Sequence, residues 1–131
     1  MTILVNWKAK DLQEGMENMM LGAKADYENF HTSNGKKEIV PGSYGDTELK
    51  EYDSKTKVSF GKKFIKVVQD RSVFAFIVKE DTDKFKKGDI LKPAGYNAPA
   101  QNGARGNVLT GNYYIQWTGP LYMDSQRRLR G

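Results

Sequence analysis

The chain has 131 residues, no cysteine, a single histidine and a formal net charge of +5. A chain of this length buries enough surface for one core without staples, the missing thiols exclude disulfides and thiolate metal sites, and one imidazole cannot make a multi-histidine zinc site. The longest apolar run, Val73 to Val78, stops at Lys79, far short of the ~18 to 20 residues of a membrane span, and Met1 to Val5 lacks the positive leader and cleavage site of a secretion signal.

Between Asp11 and Phe30 the large apolar residues fall at Leu12, Met16, Met19, Ala23, Tyr27 and Phe30. Steps of three and four place them on one stripe, which predicts an amphipathic helix over about 11–30. Asp11 or Asn6 can cap its start, and Asn34-Gly35 supplies the stop. Gly15 and Gly22, seven apart, lie along the flank of the stripe, each costing ~1 kcal/mol against alanine. A partner helix or subunit resting on that flank is one reading of them, and packing of the helix on its own sheet is the other.

Residues 31–57 are polar and rich in turn formers, with Asn34-Gly35, Pro41-Gly42 and Gly45-Asp46. A long connection with one short strand, over Glu38 to Val40 or Glu48 to Tyr52, is predicted there.

From 58 to 123 β-branched and aromatic residues occur in short runs broken by turn chemistry, which reads as β-structure. Lys63 to Gln69 and Val73 to Lys79 flank Asp70-Arg71-Ser72 and predict an antiparallel hairpin. The second of these strands is apolar on both faces, with Phe74, Phe76 and Val78 set against Val73, Ala75 and Ile77, and belongs at the centre of the sheet. Ile90 to Lys92 is short because Pro93 cannot donate to a ladder. A second hairpin is predicted between Asn107 to Thr110 and Tyr113 to Thr118 through Gly111-Asn112, with Tyr113, Ile115 and Trp117 facing the core. Residues 124–131 read as a basic tail carrying Arg127, Arg128 and Arg130. The expected fold is a single α+β domain over 1–131, an N-terminal amphipathic helix packed on a small antiparallel sheet or partly open barrel of about five or six strands.

No residue constellation predicts catalysis. There is no thiol nucleophile, and His31 sits at a helix end without a partnered hydroxyl. Asp81 and Asp83 lack the further oxygen ligands and the turn glycine of a metal loop, and lysines crowd them. Neither the dinucleotide fingerprint nor the phosphate-loop pattern occurs. The expectation is a non-enzymatic protein with no cofactor and no metal site.

The segment Ala94 to Asn107 is small, polar and charged only at Arg105, which predicts an exposed loop held by flanking strands, either a binding loop or a floppy or merely structural one. Its reading groups are Tyr96, Asn97, Asn102, Arg105 and Asn107, with Tyr114 on the neighbouring strand. Interleaved with Lys62, Lys66 and Lys92, the same aromatics fit RNA or single-stranded DNA bound on a small basic barrel.

Phe85-Lys-Lys-Gly-Asp-Ile-Leu-Lys-Pro-Ala-Gly-Tyr-Asn-Ala-Pro-Ala, then Ala104-Arg-Gly-Asn-Val-Leu and Gln116-Trp-Thr-Gly-Pro, resemble small uncharacterised proteins of tailed bacteriophages, those of marine bacteria in particular. The resemblance covers about the last third of the chain and includes no catalytic motif. It implies a phage accessory or virion-associated protein, located in the host cytoplasm or the virion, with a virion or host protein as its partner; an oligomer is compatible with the sequence, and no membrane partner is expected. The Lys-Gly-Asp-Ile-Leu turn is also similar to entries into small RNA-binding barrels of the PUA-like and ASCH kind, although the charged pocket pattern of the latter is absent.

Overall fold

A computed structural model describes residues 3–33, 35–101, 103–120, 122–123 and 129–130, the last two stretches as backbone. The chain opens with a short strand, β1 (Ile3–Val5), and the helix α1 (Leu12–His31). The Asp11 side chain caps α1 by accepting from the Glu14 amide at 2.9 Å. Met16, Met19 and Ala23 of the expected stripe are buried and Leu12 and Tyr27 pack against them, whereas Phe30, in the last turn, is 59 % exposed.

The predicted connection holds a second helix, α2 (Tyr44–Glu51), capped by Ser43 and followed by a 3-10 turn at Asp53–Lys55. Glu48 to Tyr52 is therefore helix and turn, and no strand forms over Glu38 to Val40. Ser43 accepting from the Asp46 amide, Asp46 near the N-terminus and the Asp46–Lys50 pair supply helix signals that an apolar-stripe criterion passes over, since α2 buries no residue fully.

Four strands follow in the order β2 (Thr56–Phe60), β3 (Phe64–Gln69), β4 (Ser72–Val78) and β5 (Ile90–Leu91), all antiparallel. The β3–β4 hairpin forms as predicted, with Gln69 opposite Ser72 and Asp70 at φ 60° in the turn. Val67 pairs with Ala75 but Val68 with Val73, so Phe74 is an extra residue in the ladder. This bulge corrects the predicted alternation: Phe74 joins Ala75 and Ile77 in the main core, while Val73 falls with Phe76 and Val78. One face of the sheet packs on α1 and the N-terminal strand, and the other on Phe85 and Ala104, which is why β4 is apolar throughout.

β6 (Pro93–Gly95) and β7 (Ala98–Pro99) form a small hairpin. β8 (Tyr113–Gln116) stands between β1 and β9 (Gly119–Pro120), with Ile3 opposite Ile115 and Val5 opposite Tyr113. The expected pairing of β8 with Asn107 to Thr110 does not occur. Gly111 and Asn112 take the positive φ angles foreseen, 71° and 62°, but they turn the chain onto β1, where a Cβ on Gly111 would lie 2.3 Å from the Trp7 carbonyl oxygen. β10 (Tyr122–Met123) pairs with β11 (Leu129–Arg130). Arg130 thus lies in a ladder opposite Tyr122 instead of in a tail, while Arg127 and Arg128 fall outside the described residues.

The fold is α+β, as the sequence indicates, with its described strands divided among separate antiparallel sheets and no closed barrel. No helix among the described residues is long and apolar enough to cross a membrane.

Candidate protein-interaction groove

The predicted binding loop is more ordered than its composition suggests. Its tip, Tyr96-Asn97, closes the β6–β7 hairpin, and Lys66 of β3 reaches across it: the Lys66 ammonium sits 4.1 Å from the centroid of the Tyr96 ring and donates to Asn97 Oδ1 at 2.8 Å. Tyr96 stays 58 % exposed. Arg105, expected on an exposed loop, is buried, and its amide donates to the Ile90 carbonyl at 2.7 Å.

Asn107 is a fastening. Its Nδ2 donates to the Lys87 carbonyl and to Asp89 Oδ1, both at 2.9 Å, and its Oδ1 accepts from the Leu109 and Thr110 amides at 2.8 and 3.2 Å. Tyr114 is half-buried opposite Leu4 in the β1–β8 ladder, and Asn102 lies outside the described residues. Tyr96 and Asn97 thus lie at the β6–β7 tip, Asn107 beside Asp89, and Tyr114 in the β1–β8 ladder.

Gly15 and Gly22 are not a partner surface either. A Cβ on Gly15 would fall 2.6 Å from the Val108 carbonyl oxygen, and one on Gly22 2.8 and 2.9 Å from methyls of Val5 and Ile115. The chain's own strands fill the flank, and the glycines let them approach the helix backbone.

The opening in this fold lies elsewhere, between α1 and the outer strand β2. A groove of about 810 Å³ runs there, roofed by Leu12, Met16, Met20 and Leu21 of α1 and floored by Thr56, Val58 and Phe60, with Ile65 and Val67 behind. Leu21, Val58 and Phe60 are 59, 41 and 68 % exposed. Alternation explains the floor: β2 reads Thr-Lys-Val-Ser-Phe, so Thr56, Val58 and Phe60 share the face of Ile65 and Val67 while Lys57 and Ser59 point the other way. Contiguous exposed apolar side chains framed by Glu17, Asp53 and Lys79 are the usual mark of an interaction surface.

A second, smaller hollow of about 310 Å³ is lined by Tyr27, Glu48, Lys55 and Trp117 among others. Glu48 accepts from Lys55 Nζ at 2.6 Å, from the Tyr44 hydroxyl at 2.8 Å and from the Tyr27 hydroxyl at 3.4 Å. The Lys55 hydrogen bond holds the Glu48 carboxyl below its ordinary range and raises Lys55 in return. Burial, reinforced by the Glu48 charge, pushes the Tyr27 phenol up to about 12. A carboxylate kept ionised beside phenols kept protonated offers no base poised near neutrality. The cluster is a strut that fastens α2 and the 3-10 turn to α1.

No family model, curated protein or solved structure matches the chain.

Neither Val58 nor Phe60 stands out in the sequence as a functional residue. The available signal is the apolar alternation of β2 ahead of Gly61-Lys62-Lys63, but its position at a sheet edge depends on pairings that the sequence does not display.

Proposed function

We propose that this protein is a non-enzymatic accessory or virion-associated protein of phage type that works through protein–protein contact at the α1–β2 groove. The observation that carries the reading is the exposure of Phe60, Leu21 and Val58 together beside a strand that, among the described residues, has a neighbour on one side only. Burying a side chain such as Phe60 is worth about 1.5 to 3 kcal/mol, and an added strand gains backbone hydrogen bonds as well. The resemblance of the last third of the chain to small phage proteins supports the biological setting.

The test is a photo-reactive phenylalanine analogue placed at Phe60 and, as a control, at Tyr96. The expected result is a covalent protein adduct from position 60 that maps to one peptide, with none from position 96. Equal labelling from both positions, or none from either, would overturn the reading.

A second reading, RNA or single-stranded DNA on the β6–β7 tip, is favoured by one observation: Tyr96 is exposed with the Lys66 ammonium against its ring, a pairing of aromatic and cation suited to a stacked base and its phosphate. Binding of that kind must weaken steeply as salt rises, and retention of an oligonucleotide that ignores salt would sink it.

A further inference from the structure

We infer that the occupant of the groove is a second copy of this chain, with the two β2 strands antiparallel about a two-fold axis at Val58. The inference rests on the protein-contact reading and names its partner.

The backbone of β2 sets the terms. At one end of the β2–β3 ladder Gly61 donates to the Phe64 carbonyl, and at the other Asp70 donates to the Lys55 carbonyl, both at 2.9 Å. Antiparallel ladders alternate hydrogen-bonded and open pairs, so Lys55, Lys57, Ser59 and Gly61 bond to β3 while Thr56, Val58 and Phe60 aim their backbone groups outward. The Thr56 amide is spent on the Asp53 carbonyl. Among the described residues, what remains without a backbone partner is the amides of Val58 and Phe60 and the carbonyls of all three. The β2–β3 register is unbroken from Thr56 to Phe60, and the strand carries neither the proline nor the bulge that commonly blunts an edge.

Charge selects the mate. Beyond one end of β2 stand Lys62 and Lys63, both exposed; at the other stand Glu51 and Asp53, whose side chains are 53 and 80 % exposed even with Lys55 and Lys24 reaching them. One end thus carries lysines alone and the other mixes Glu51 and Asp53 with Lys50, Lys55 and Lys24, so reversing the strand about a two-fold axis brings the exposed carboxylates toward the all-lysine end.

Register then follows. Centring on Val58 gives reciprocal bonds between the two Val58 residues and from each Phe60 amide to the opposite Thr56 carbonyl. It sets Lys57 across from Ser59 and brings the Lys62-Lys63 turn toward Asp53. Centring on Lys57 would oppose that lysine to its own twin and give up half of those bonds, and centring on Ser59 would set Lys63 against Lys55.

The test is mass in solution, by sedimentation equilibrium over a range reaching about 1 mM. The full chain is expected to rise from 14.8 kDa toward twice that value, and Val58→Lys, which sets two ammonium groups at the axis, to stay at the single mass with a Tm close to that of the wild type measured at dilutions where the wild type too is at the single mass. Because the chain has no cysteine, Val58→Cys gives an independent readout. On air oxidation it should form a linked dimer faster than Lys57→Cys or Ser59→Cys, since the paired Cα atoms on the axis would stand about 5.5 Å apart. A single mass for the wild type throughout, a Val58→Lys that still dimerises, or faster linking at position 57 or 59 would overturn the proposal. A photo-adduct from position 60 to a different protein, with the wild type at the single mass, would overturn the second copy and leave the contact reading standing; no adduct and no dimer would remove both.

Discussion

The two edges of the four-stranded sheet are treated in opposite ways. Beyond β5 the chain returns and lies along the edge: Ile90 donates to the Gly106 carbonyl at 2.8 Å, Arg105 to the Ile90 carbonyl at 2.7 Å and Val108 to the Gly88 carbonyl at 2.9 Å, with Asn107 bridged to Asp89. Beyond β2, no strand lies alongside among the described residues. The glycine- and asparagine-rich tract is thus spent on sealing one edge, and the ordinary-looking strand is the one left open. A loop that looks like a binding site by composition can be a lid on backbone hydrogen bonds, because the φ angles and side-chain amides that suit a ligand loop also suit a closely fitted edge.

Mutations should separate the edges by their cost. The largest effect is expected from Gly106→Ala. Gly106 sits at φ 154°, and a Cβ there would lie 2.4 Å from Cβ of Tyr113, so strain and overpacking together should cost about 3 kcal/mol, read as a shift in the urea midpoint at constant slope. Asn107→Ala removes the four side-chain hydrogen bonds that reinforce the sealing segment and should cost about 2 kcal/mol in the same experiment.

Smaller, and confined to the α2 side, is an acid effect. The Glu48 pKa is depressed in the fold, so its pairing contributes stability above the ordinary glutamate value of about 4.3 and loses it as pH falls through the lower folded value. Glu48→Gln should therefore be less stable than wild type at neutral pH, with the gap closing on acidification; a gap independent of pH would contradict the assignment. Least of all, Val58→Lys on the open edge should move the unfolding free energy by no more than about 0.5 kcal/mol. If it proves as costly as Gly106→Ala, the edge is not open.

Much of this framework is legible in the residues themselves. The stripe of α1, its Asp11 cap and the β3–β4 hairpin depend on neighbours in sequence, and local chemistry specifies them. The misreadings share a different cause. The three residues of β1 are too few for a pattern and owe their strand to β8, more than a hundred positions away. α2 is polar and held by caps and ion pairs instead of an apolar face. The bulge at Phe74 moves the parity of β4 by one position, which strict alternation cannot anticipate. Arg105 reads as a surface group because arginine is seldom buried, and only the docking of its segment on Ile90 shows otherwise. The groove is the extreme case, since an edge is defined by the strand that is not there.

The pairing of Ile3 with Ile115 and Val5 with Tyr113 gives the molecule a built-in order of assembly. Hairpins such as β3–β4 can close as soon as they are made, whereas the loop joining β1 to β8 spans nearly the whole chain and closes late, at an entropic cost that grows only slowly with its length. Until residues 113–116 emerge, Val5 and the Gly22 side of α1 lack the strand they share. The growing polypeptide thus carries a helix with one uncovered flank until β8 is made.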